Sequence, residues 1–357
     1  MTGGAPPRRA APLASVPLDR VAIVMMSAIG DAVHVLPVVT AIKRQAPASR
    51  ITWVLQPGPA SLVRGHPDVD EIATFDKARG WRALGDVRRQ LAGRRFDLVL
   101  ALQVYLKAGV VTAMLGAPVK LGFDRARARD LNWLVTTHRI PPHAPQHVQE
   151  QYFEFLDVLG VPHEPPVWKL GPWPAERAWQ RDFVARLERP AATLVVGSSH
   201  PEKEWVPERW AELADVLYHD FELQPVLAGG RSARELETER IVRDRARAPI
   251  VSTLGVPLRQ LVSVLDASAL VVSLDTGPLH MAVALDRPVI ALMGYNNPQR
   301  VGPYRRFHDL LVDAYGDPGE DYPVSLAHRY RRTRRIAVSE VVEKVEVWRR
   351  EYRRGAG

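Results

Sequence analysis

The chain has no cysteine in its 357 residues. That excludes disulfides, thiolate metal sites and a cysteine nucleophile, and it suits a reducing cytoplasm, where we expect the protein to act. It also lacks any run of about 18 apolar residues, the length that a spanning helix needs. Residues 1–18 are rich in Pro, Ala and Gly and carry Arg8 and Arg9. They have no continuous apolar stretch of the kind a secretory signal requires, so they read as a disordered arm. The dinucleotide fingerprint G-x-G-x-x-G is missing as well, which argues against an NAD or FAD enzyme. What is present is ordinary for a globular chain, 46% hydrophobic and 25% charged residues, and the length favours two domains.

The first strong signal is the apolar run Val21–Met26, expected for a strand buried on both faces of a parallel sheet. It ends at Ser27-Ala28-Ile29-Gly30-Asp31, and a helix is expected from about Asp31 to Gln45. Ile51–Leu55 and Asp97–Leu102 read as further strands, with a polar helix near Trp81–Gly93 between them. The pattern becomes irregular from Arg125 to His147, and Gln149–Leu159 reads as helix. Pro162, Pro165, Pro166, Pro172 and Pro174 then mark a linker. Beyond it the alternation restarts, with strands at Thr193–Val196, Pro225–Ala228, Val251–Thr253, Leu270–Leu274 and Pro288–Met293. This alternation implies right-handed βαβ units in doubly wound sheets. We divide the chain into a disordered arm (1–18), a first α/β domain (19–175), a second (176–335) and a C-terminal basic helix (336–357).

Strands of the second half end in Gly, Ser, Thr or Asp, and ligands of open α/β sheets bind beyond those ends. Gly197-Ser198-Ser199 followed by Lys203 offers two hydroxyls and a cation for a diphosphate, or forms a solvated turn. Asp275-Thr276-Gly277-Pro278-Leu279-His280 opens a helix whose N-terminus attracts anions; its plainer reading is a helix capped by Asp275 or Thr276. Glu235, after Gly229-Gly230, suits ribose hydroxyls or a solvated helix face. In the first half Asp31 reads as a helix N-cap or as a carboxylate at a strand end. His34, one turn on, supports that carboxylate or packs beneath the loop.

The run Met26–Pro37 resembles the opening motif of glycosyltransferase family 9, the ADP-heptose:lipopolysaccharide heptosyltransferase family. Ser273–Leu285 is similar to its second hallmark and Glu202–Trp210 to its third, while Gly294–Tyr304 resembles the segment that closes the nucleotide site. The resemblance runs from about Val21 to Trp348. It implies a GT-B fold, two Rossmann-like doubly wound domains facing across a cleft. It also implies an inverting transferase with no cofactor and no required metal. By the resemblance Asp31 is the base, Ser198, Ser199 and Lys203 contact the diphosphate, and Asp275, Thr276, Gly277 and His280 form the donor loop. Glu235 matches a donor-contacting glutamate. Two departures stand out. Ala101-Leu102-Gln103 replaces an Asp-x-Gln, and Gly294-Tyr295-Asn296-Asn297-Pro298 replaces Gly-Pro-Thr-Asp-Pro. They leave the sugar, acceptor and subfamily open.

The expected reaction is attack by a hydroxyl of a lipid-linked core oligosaccharide on ADP-heptose, with Asp31 taking the proton and Lys203 steadying the leaving diphosphate. Lys107 and Arg125, with Arg127 and Arg129, are candidate acceptor contacts or ordinary surface charge. The competing readings are a nucleotide-sugar epimerase of the same shape and a non-enzymatic basic module. The net charge is +8, and from His328 onward nine Arg and one Lys face four Glu. Such a tail suits the anionic inner face of a membrane, or is a solvated helix face. It lacks interleaved exposed aromatics and any known nucleic-acid motif, so no nucleic-acid partner is expected. Val341, Val345, Trp348 and Tyr352 recur at helical spacing and are expected to pack on the body.

Overall fold

The structure is a computed structural model and describes residues 12–353. The proposed N-terminal arm therefore lies mostly outside the described residues. Of the part within, the Leu13 N–H donates to the Val158 carbonyl at 3.0 Å, which ties the approach to the first strand onto the body.

The chain folds as two compact units. Unit one carries β1 (Arg20–Val24), α1 (Ile29–Gln45), β2 (Arg50–Leu55), α2 (Pro57–Val63), β3 (Glu71–Thr74), α3 (Arg82–Gln90), β4 (Leu98–Ala101), α4 (Leu106–Met114), β5 (Val119–Gly122), β6 (His138–Arg139) and α5 (Val148–Leu159). Its six strands are parallel in the order β3-β2-β1-β4-β5-β6. Val21–Val24 at the centre are wholly buried, which is why β1 is apolar without alternation.

Unit two carries α6 (Arg177–Val184), β7 (Ala191–Val195), α7 (Pro207–His219), β8 (Gln224–Ala228), α8 (Ala233–Arg245), β9 (Val251–Ser252), α9 (Leu258–Ala267), β10 (Ser268–Leu274), α10 (Gly277–Ala284), β11 (Val289–Met293), α11 (Pro298–Val301), β12 (Leu311–Asp313) and α12 (Val338–Glu351). Its sheet, β12-β11-β10-β7-β8-β9, is again wholly parallel. In both sheets the strand order reverses beside the first strand, between β1 and β4 and between β7 and β10. In such sheets ligands lie outside the strand ends at that reversal.

The division differs from the expected one. Unit two begins at Trp168 and also takes Ala28–Val33 and Pro145–Val148. The stretch after Trp168 is fastened to unit two because Arg259 lies 3.5 Å from the centre of the Trp173 ring and donates to the Leu170 carbonyl at 3.0 Å. The basic helix α12 belongs to unit two as well. Val341, Val345 and Trp348 are buried, and the Trp348 indole donates to the Ala269 carbonyl at 3.0 Å. Its cations are largely engaged. Arg349 pairs with Glu346, Arg350 with Glu351 and Lys344 donates to the Asp309 carbonyl, while Arg353 just beyond the helix donates to that of Phe221.

Candidate active site

At the strand reversal of unit one, the loop after β1 is held by Gln103, which follows β4. Its amide accepts from the Met26 N–H at 3.0 Å and donates to the Ser27 carbonyl at 3.0 Å. Gln103, the glutamine of the segment that replaces Asp-x-Gln, thus joins the two strand ends.

α1 begins at Ile29, two residues earlier than expected. Asp31 stands third in the helix, not at its N-cap, and its carboxylate accepts from the Ala28 N–H at 2.9 Å. This reach-back satisfies a donor that the first turn would leave bare, as the acidic half of a capping box does. His34 is buried. Its Nδ1 lies 3.0 Å from the Gln149 amide oxygen, and Gln149 donates in turn to the His34 carbonyl at 2.8 Å. His34 is therefore tied to α5 through Gln149.

In unit two the loop after β7 is shaped by Ser198, whose hydroxyl donates to the His200 carbonyl and accepts from the His200 N–H. Ser199 is exposed beside it. Lys203 closes the short turn Pro201–Lys203 and reaches across the strand reversal to Asp275. Its ammonium lies 2.9 Å from the carboxylate and 3.1 Å from the carbonyl of that residue. Asp275 is buried and also accepts from the Asn296 amide at 2.5 Å. An ammonium has three donors; Asp275 engages two. Lys203, expected to meet a diphosphate or to lie in a solvated turn, is thus positioned first by a buried carboxylate.

Thr276 precedes α10 with extended backbone, and its hydroxyl turns back to the Leu274 carbonyl at 3.4 Å instead of capping the helix. Asp275 is committed to Lys203. Neither side chain caps α10, so the positive end of the helix stays open to an anion. Gly277 is required for close approach. A Cβ there would sit 2.8 Å from Ile29 Cγ2, and a Cβ on Gly30 would sit 2.8 Å from the His280 ring. These contacts bring the Ala28–Val33 segment, with Asp31, against the start of α10.

The His280 pKa is pushed down to about 3, by burial first and then by the His147 and Lys203 charges, so its ring is neutral at pH 7. Burial and the Lys203 and Arg300 cations also hold His328 below the usual histidine range. Burial is the main cause of both shifts, and the Lys203 cation adds to each. His147 places its Nε2 3.1 Å from the Gly302 carbonyl. After β11, Tyr295 stacks between His328 at 4.6 Å and His200 at 4.7 Å, which links the Gly294–Tyr304 segment to the Ser198–Lys203 loop. His147, Tyr295 and Asn296 were not singled out as site residues from sequence. The one signal available was the departure at 294–298.

Glu235 has a structural employment. It forms a capping box with Ser232 on α8, and its carboxylate accepts from the Gly230 N–H at 2.5 Å and the Ser232 N–H at 2.8 Å. Gly197, Gly229 and Gly230 all make room for it. Among the proposed acceptor contacts Arg127 drops out, because it is locked between Asp124 and Glu154. Lys107 and Arg125 are exposed on unit one. Among the described residues, no group of three or more His, Cys, Asp or Glu is gathered as a metal ion would need.

Comparison with known proteins fits this geometry. The family model described as glycosyltransferase family 9 (heptosyltransferase) matches residues 84–316. The lipopolysaccharide core heptosyltransferase OpsX of Haemophilus influenzae is 30% identical over 310 residues, covering 84% of this chain and 88% of that one. Lipopolysaccharide heptosyltransferase 1 of Pseudomonas aeruginosa is 29% identical over 318 residues, covering 85% and 84%. The structure of E. coli heptosyltransferase WaaC with ADP superposes with a TM-score of 0.73 at 24% identity, over 92% of this chain and 99% of that one.

Proposed function

The chain belongs to glycosyltransferase family 9, and from that premise we propose that it moves a heptose from ADP-heptose to a lipopolysaccharide inner-core acceptor, inverting the anomeric carbon without a required metal. The supporting observation is the Lys203–Asp275 pair beside the open N-terminus of α10, with the Asp31 segment packed on that same turn. An acceptor hydroxyl attacks the anomeric carbon as the bond to the ADP oxygen breaks. The hydroxyl proton passes to the Asp31 carboxylate, and the electron pair leaves with the diphosphate. The backbone N–H of Gly277, the α10 dipole and the Lys203 ammonium offset the charge that grows there. The neutral His280 ring gives or takes a hydrogen bond without adding charge. Ser198 and Ser199 border the diphosphate, Glu235 supports the loops that meet the donor, and Lys107 and Arg125 meet the acceptor. We place the reaction in the cytoplasm; no described helix is long and apolar enough to cross a membrane.

Asp31→Asn tests the base. Asparagine keeps an oxygen for the Ala28 N–H, so the start of α1 survives. Turnover should fall by about 10²–10⁴-fold, while calorimetric ADP affinity stays near wild type. Loss of ADP binding in a folded variant would remove Asp31 from the role of base. Running donor turnover with and without acceptor separates transfer from epimerisation, which needs no acceptor.

A further inference from the structure

Unit one presents a surface that extends beyond the acceptor contacts Lys107 and Arg125. At the start of α4, Tyr105 and Leu106 are 51% and 57% exposed. The segment 124–139 is fastened across them. The Arg129 N–H donates to the Val104 carbonyl at 3.1 Å and the Leu106 N–H to the Asp130 carboxylate at 3.2 Å. The Asn132 amide donates to the carbonyls of Gln103 and Tyr105 at 3.1 and 3.2 Å. The segment is therefore built, and the side chains it turns outward are held there.

Two of those side chains are Leu131 and Leu134, 63% and 60% exposed. Leu131 follows Asp130 in left-handed backbone, with φ of 60° and 51°. A side chain with a Cβ is strained in that region, and leucine has no polar group to offset the strain. Here the strain accompanies a leucine facing water. An outlier of this kind points to function, and grouped exposed apolar residues rimmed by charge mark a docking surface.

The charges name the partner. Arg125 lies 4.5 Å and Arg139 5.6 Å from the centre of the Trp133 ring, and Arg129 lies 5.9 Å from that of Tyr105. With Lys107, these four cations are exposed. One carboxylate among them, Asp130, accepts from the Leu106 N–H, and the four cations outweigh it. Exposed leucines, an exposed tyrosine and arginines set against aromatic rings supply the groups that a bilayer surface engages at its acyl boundary, headgroup level and anionic phosphates. We propose that Tyr105–Lys107 together with Arg125–Arg139 docks the protein on an anionic lipid bilayer. The proposal rests on the transferase reading for its lipid-linked acceptor, but the surface is testable by itself.

The test is sedimentation of the full chain with vesicles of phosphatidylcholine, alone or mixed with phosphatidylglycerol. The wild type should favour the anionic vesicles, more weakly as salt rises. Leu131→Ser with Leu134→Ser, and separately Arg129→Glu with Arg139→Glu, should each lower that binding roughly ten-fold or more. Leu131→Gly, which suits the left-handed backbone better, should melt no lower than wild type yet bind vesicles less. Arg349→Glu with Arg350→Glu on α12 should leave binding unchanged. ADP affinity should be that of wild type throughout, so a failure here is distinct from a failure of the transferase reading. Equal wild-type binding to both vesicles, variants that bind like wild type, or a loss confined to the α12 variant would overturn the proposal.

Discussion

Lys203 and Asp275 illustrate how one side chain depends on another. Removing the lysine alone strands a buried carboxylate, so Lys203→Met should cost about 3–5 kcal/mol of stability. Lys203→Met with Asp275→Asn should regain most of it in urea denaturation, while ADP affinity stays low in both. Recovery of ADP binding in the double variant would show that the lysine charge is dispensable. His280 gives a pH prediction. Its folded pKa lies near 3, below the ordinary value of 6.5, so the unfolded chain binds the extra proton first. Its contribution is full above about pH 6.5 and is lost as pH falls toward the folded value. Between pH 7 and pH 5 the loss is about 2 kcal/mol. His280→Asn should flatten the fall in melting temperature over that interval; an unchanged slope would contradict the depressed pKa.

Among the elements, α10 matters for what its first residue lacks. A methyl group on Gly277 would press on Ile29 Cγ2 at 2.8 Å and Ile29 Cβ at 3.1 Å, so Gly277→Ala must push the Asp31 segment away from the anion site. Misplacement by about 1 Å costs on the order of 10² in rate. We therefore expect turnover to fall by that order with secondary structure intact. Ile29→Ala on the same background should restore part of it. A Gly277→Ala enzyme at full rate would mean the contact is slack.

At the scale of the molecule, both units repeat one strand order, and each places its chemistry where that order reverses. Gln103 and the β1 loop lie there in unit one, and Ser198, Lys203 and Asp275 in unit two. α12 closes unit two from behind through Trp348, which is 2% exposed. Trp348→Ala should destabilise the protein by about 3–5 kcal/mol, read as a lower urea midpoint. An unchanged midpoint would mean that α12 is not part of the cooperative unit. Of the C-terminal arginines that look like a tail in sequence, Arg329 pairs with Glu320, Arg332 with Asp317, Arg349 with Glu346 and Arg350 with Glu351.

Buried central strands announce themselves as unbroken apolar runs, so β1, β2, β4, β7, β8, β10 and β11 were legible within a residue or two, as were the Gly, Ser, Thr and Asp at their ends. The edge strand β9 was legible too, but β3, β5, β6 and β12 were not, because they are short, lie at or next to a sheet edge, are partly exposed and leave no such run. The alternation alone also determined the fold class, and the motifs determined the family. Only the tertiary structure decided which strand ends share a site, since the reversal of strand order depends on crossovers and not on local propensity. It decided that Lys203 answers first to Asp275, that Glu235 braces glycines, that Arg127 is tied down, and that Ala28–Val33 belongs with α10. Each of these is a contact between residues far apart in the chain, and pairings of that kind leave no periodic trace in a single sequence.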